Sequence, residues 1–149
     1  MKTLLIIFSL LWFPFTYNSP QHIYQFSANS KLSITGTSTL HVWTMDTKTV
    51  KGNANIEIAD TEILHIKEIN VRVPVESLKS GKAVMDKNAY KALNSNKYPD
   101  IHFQMKDFNK IAQRNGASAL EVSGNLTIAG KTRPEKILVE YRTDATGNI

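Results

Sequence analysis

The sequence predicts an all-β fold: an antiparallel sheet curled into a barrel and interrupted by one short helix. Two observations carry this expectation. Most of the chain alternates apolar and polar residues with a period of two, the pattern of half-buried strands. The exception is SGKAVMDKNAYKALNSNKYPDIHF (residues 80–103), where Met85, Ala89, Ala92 and Leu93 recur at i, i+4, i+7 and i+8, one face of a short helix.

The chain opens with MKTLLIIFSLLWFPF, one lysine followed by a nearly unbroken apolar run from Leu4 to Phe15. A run of about a dozen residues is shorter than the ~20 that span a bilayer as a helix. With Lys2 before it and the polar TYNSPQ after it, the run reads as a secretory signal peptide over residues 1–19. No small-x-small triplet marks a cleavage site, and an uncleaved membrane anchor is the alternative. The expected location is periplasmic or secreted. Residues 20–149 then form one domain, long enough to bury a core. The chain has no cysteine, which excludes disulfides, thiolate chemistry and a lipid-modified cysteine anchor.

The strands follow in order. KLSITGTSTLHVWT places Leu32, Ile34, Leu40 and Val42 on one parity against Ser33, Thr35, Thr37 and Thr39, and reads as one long strand. VKGNANIEIAD sets Val50, Ala54, Ile56 and Ile58 against Lys51, Asn53, Asn55 and Glu57. In LHIKEINVRVPV the phase slips between Ile66 and Ile69, which predicts a bulge. The helical stretch comes next, opened by Ser-Gly and stopped by Asn94-Ser95-Asn96 and then Tyr98-Pro99. Beyond it, IHFQMKDF puts Ile101, Phe103 and Met105 on one side, and Asn-Gly in QRNGAS marks a turn. LEVSGNLTIAG and RPEKILVEYR complete the set, with Leu120, Val122, Leu126 and Ile128, then Ile137, Val139 and Tyr141, on their apolar parities. Six strands joined mostly by short polar turns imply antiparallel pairing. Curling around the apolar face hides the sheet edges; a two-sheet sandwich is the competing architecture.

The net charge of +5 is scattered, with Lys79, Lys82, Lys87, Lys91 and Lys97 around the helix. Without a dense basic run or aromatics interleaved with arginine, nucleic acid is not an expected partner. The lysines read as a solvated face or as a rim for transient contact with a membrane surface.

GTSTLHVWTM (36–45), VPVESLKSGKAVMDKNAYKALNSNKYPDIHF (73–103) and GNLTIAGKTRP (124–134) resemble the YceI-like family of polyisoprenoid-binding proteins in order and spacing. The resemblance runs from about residue 28 to 142. It implies an eight-stranded lipocalin-like barrel, exported to the periplasm, holding a long isoprenoid or related amphiphile, with the helix at one end of the barrel. Two departures stand out. Val42 follows His41 where family members commonly carry Asp, and the family pattern continues beyond TDATGNI, so the domain is expected to be C-terminally incomplete, without its closing strands.

No catalytic constellation is legible. His22, His41, His65 and His102 lie on separate segments without metal-ligand spacing, no GxSxG elbow occurs, and the Gly-Lys-Thr of GNLTIAGKT fails the phosphate-loop pattern. The expectation is a binding protein, not an enzyme, with no cofactor beyond a bound isoprenoid lipid or quinone. Its cavity lining is expected to comprise Leu32, Ile34, Leu40, Val42, Ile56, Ile58, Val71, Val73, Phe103, Met105, Leu126 and Ile128, with Trp43 and Tyr98 as candidates for the mouth. The partner is a hydrophobic small molecule or lipid, and homodimerisation is left open. The alternative is a stress-response or interaction module whose barrel is filled and takes no ligand.

Overall fold

A computed structural model describes residues 21–142 except 40, 60, 61, 115 and 116, and leaves the side chains of residues 21 and 112–114 undescribed. The expected signal peptide, residues 1–19, and residues 143–149 therefore lie outside the described residues. The described residues form eight strands, one α-helix and a 3-10 turn. They are β1 (Gln21–Gln25), β2 (Leu32–Thr37), β3 (Val42–Thr47), β4 (Lys51–Ala59), β5 (Glu62–Pro74), the turn Val75–Ser77, α1 (Ala83–Leu93), β6 (Asp100–Arg114), β7 (Ala117–Ile128) and β8 (Lys131–Tyr141).

All pairings are antiparallel. One sheet runs β1-β4-β5-β6-β7-β8, and β2 and β3 form a separate pair. The expectation of six strands is corrected here in two places. A first strand, β1, precedes them and pairs with β4. The single long strand from Lys31 is a hairpin, with Leu32 opposite Thr47 and Thr37 opposite Val42. Ser38 turns it, donating N–H to the His41 carbonyl at 3.0 Å.

The predicted bulge is present. Asn55 faces Glu68 and Ile56 faces Ile66, so Lys67 is the extra residue, and a second slip leaves Leu64 unpaired. Each bulge bends β5 more sharply than a regular ladder would, and the sheet curls around its apolar face. Ile56, Ile58, Ile63, Ile66, Phe103, Leu120, Val122 and Tyr141 form the main core. Among the described residues the sheet does not close, and β1 and β8 are its two edges.

The β7–β8 hairpin turns through Ala129 and Gly130, both with positive φ (49° and 72°), the conformation of a two-residue primed turn. Glycine is required at the second position for another reason too, since a Cβ there would lie 2.5 Å from the Tyr98 ring. Tyr98 thus packs on the turn.

The helix answers to the sequence pattern, with one exchange. Met85, Ala89 and Leu93 are half-buried as expected, but Ala92 is exposed and Tyr90 takes the inward place. Met85 and Ala89 pack against Met45, Val73 and Leu78, a second core shared with Leu32, Ile34 and Trp43 of the hairpin. The hairpin is tied to the helix entry by a two-bond bridge: Asp46 N–H to Lys79 O and Lys79 N–H to Asp46 O, both 2.8 Å. Tyr90 Oη donates to the Leu78 carbonyl at 2.6 Å and accepts from Lys79 Nζ at 2.8 Å. That bond from Lys79 to Tyr90 holds the ammonium pKa above the ordinary lysine value. Asn94 ends the helix in the left-handed conformation, a role it fills with little strain.

Lys82 supplies no side-chain cap at the helix start. Asp86 acts instead, its Oδ1 accepting from Ser80 N–H at 2.8 Å and Ser80 Oγ at 2.6 Å. These bonds, the side-chain one foremost, hold the Asp86 carboxyl below its usual pKa. A depressed folded pKa contributes stability that is present above the unfolded value and lost as pH falls through the folded one. Asp86→Asn should therefore lower the thermal midpoint at neutral pH and flatten the acid limb of a midpoint-versus-pH profile. An unchanged acid limb would remove Asp86 from the account.

Candidate functional site

The curl brings the two ends of the sheet to opposite sides of one hollow of about 480 Å³. On one side stand Tyr24 of β1 and Phe26 just beyond it; on the other stand Ile137 and Val139 of β8. Ile56, Ile69, Val71, Phe103 and Val122 form the wall between them. Each is placed by strand parity. Tyr24 lies opposite Ala54, and Ile137 and Val139 lie opposite Val122 and Leu120, so all turn to the inner face. Polar groups gather near the β1 end, where Gln25, Ser27, Ser30 and Asn53 border the hollow.

No lysine, arginine, aspartate, glutamate or histidine is among the described residues that border it. A site of this composition offers dispersion and burial to an apolar chain, with the hydroxyls of Ser27 and Ser30 at one end to meet a polar head. Its volume lies within the ~300–1,000 Å³ range of small-molecule sites.

Of the residues expected to line a cavity, Ile56, Val71 and Phe103 border this hollow. Ile58 is buried in the adjoining core, and Met105 and Leu126 pack against that core. Leu32, Ile34 and Val73 belong to the second core under α1. Val42 points outward, 64 % exposed, because the turn after Thr37 reverses the chain and gives the inward parity of β3 to Trp43, Met45 and Thr47. Ile128 is 36 % exposed at the hairpin end. Leu40 lies outside the described residues. Trp43 and Tyr98 do not border the hollow, and neither does any residue of α1. The helix covers the end of the β5–β6 pair, where Pro74 meets Asp100.

Tyr24 and Phe26 were missed although QHIYQF alternates, because a strand of five residues carries a weak signal. Ile137 and Val139 had the right parity in the sequence; what brings them to the hollow is the curl of the whole sheet.

Phe103 holds its place through a glycine. A Cβ on Gly124 would lie 2.6 Å from Phe103 Cζ and would also meet the Gln104 carbonyl. Gly124→Ala should cost about 1–3 kcal/mol by overpacking, read by denaturant unfolding, and should displace the ring from the wall.

A model of the YceI-like domain matches residues 24–149. No curated protein matches. Among solved structures, the chain is similar to a Campylobacter jejuni YCEI protein that crystallizes with large solvent channels, at 17 % identity and a TM-score of 0.46. It is also similar to a mutant of that protein with a monobromobimane guest, at 18 % identity and a TM-score of 0.44. The alignments cover 94 % of this chain and 59 % of each of those chains. With the family model matching most of its length, the chain belongs to the YceI-like domain family.

Proposed function

We propose that this protein is a non-catalytic carrier or sequestering protein for an isoprenoid lipid or a related quinone-like amphiphile. The observation that carries the reading is the uncharged, largely apolar hollow between Tyr24 and Val139. Membership of a family of polyisoprenoid-binding proteins supports it. In this reading the curled sheet encloses its ligand as a lipocalin-like barrel, in the periplasm or outside the cell. Trapping the chain lengthwise leaves the head at the Gln25–Ser30 end.

The energetics suffice without any charged contact. Burying a CH₂ contributes ~0.8 kcal/mol, so one five-carbon isoprene unit contributes about 4 kcal/mol gross. A few units offset an association cost of ~4–15 kcal/mol.

The experiment is organic extraction of the purified, folded protein followed by mass spectrometry. A stoichiometric isoprenoid or quinone is the expected result. Extraction of none, from protein made in cells that contain such lipids, supports the filled module instead.

A further inference from the structure

A second concavity of about 700 Å³ lies on the same sheet, bordered mainly by polar residues of the outer parity but also by Val71 and Phe103. The strand registers set two side-chain rows across it. In one, Asn53, Asn70, Gln104 and Asn125 stand directly opposite one another on β4, β5, β6 and β7. In the next, Lys51, Arg72, His102, Thr127 and Thr132 do the same from β4 to β8. At a strand spacing of about 4.8 Å, the four carboxamides extend over roughly 14 Å.

We infer that this face is a binding site for an extended acidic polysaccharide lying across the strands. A carboxamide presents a donor and an acceptor in one plane and can meet sugar hydroxyls with both. Among the described residues only Asn70 of the four has a side-chain hydrogen bond, to Glu68. The neighbouring row supplies the charge. Lys51 and Arg72 complement carboxylates, Arg72 with a fork able to bind one bidentately. The acids at hand are Glu68 and Asp100, the latter 3.9 Å from Arg72 Nη1 and 4.0 Å from His102 Nε2. Among the described residues Lys51 has no ion pair, whereas Arg72 is shared with Asp100.

Nucleic acid fits less well. Single-strand binding relies on aromatic platforms for the bases, and the Phe103 ring is turned inward to the core. The site needs only β4 to β8, not closure between β1 and β8, although Asn53, Val71 and Phe103 border both concavities.

The test is calorimetric titration of the full chain with sodium oligogalacturonate at low salt, with a neutral oligogalactan, an inorganic polyphosphate and single-stranded DNA as comparisons. Two variants are included, Asn70→Ala with Gln104→Ala, and Arg72→Gln, each checked for an unchanged unfolding midpoint. The expected result is saturable binding of the oligogalacturonate in preference to the other three, weakened about tenfold or more in each variant. Should the paired variant fail to fold, the Arg72→Gln arm and the ligand comparison still decide. No saturable binding, equal binding of polyphosphate, preference for DNA, or binding untouched by either variant would each overturn the inference.

Discussion

Phe103→Ala should destabilise the protein by about 3–5 kcal/mol and also abolish most lipid uptake. The ring is buried at 7 % exposure, packs in the main core and forms part of the wall of the hollow. Removing it deletes transfer energy and leaves a cavity that the glycine beside it cannot fill. The widened hollow also gives an apolar ligand fewer contacts per unit length. Denaturant unfolding reads the first effect and ligand titration below the denaturation range reads the second.

Leu120→Ala should cost a comparable ~2–5 kcal/mol and leave uptake unchanged. Leu120 is 1 % exposed in the same core, opposite Val139 on β8, yet it does not border the hollow. The pair of substitutions separates two roles that one variant alone would confuse. Equal loss of uptake in both would mean that binding follows global stability and that the hollow has no specific part in it. Uptake unaffected in both, with stability lost, is the outcome belonging to a filled module.

Local periodicity made much of this fold legible. The bulge at Lys67 was readable because one extra residue shifts the apolar parity from Ile66 to Ile69. The helix was readable from the i, i+4, i+7, i+8 spacing of Met85, Ala89, Ala92 and Leu93, since a strand would turn Ala92 and Leu93 to opposite faces. The structure nevertheless leaves Ala92 exposed. The hairpin at Ser38 was not. Parity in the sequence continues from Ile34 to Val42 across the turn, so the run mimics one strand, while the reversal gives the inward side to Trp43 and Met45. Thr37, Ser38 and Thr39 are polar enough for a turn, but they also fit the polar parity of a continuing strand. The site was less legible than the elements. Tyr24 and Val139 are distant in sequence, and they face each other across the hollow only because the whole sheet curls. Parity names the inner face; it does not divide that face into wall and solid core, which is why Ile56 and Ile58 have different neighbours.

The most direct measurement is a calorimetric titration of the folded protein with uncharged prenols of increasing length. The account predicts saturable one-to-one binding with a negative heat-capacity change. It also predicts a Kd that falls at least about tenfold for each added isoprene unit, until the hollow of about 480 Å³ is full. A Kd indifferent to chain length, or no binding at any length, would contradict it.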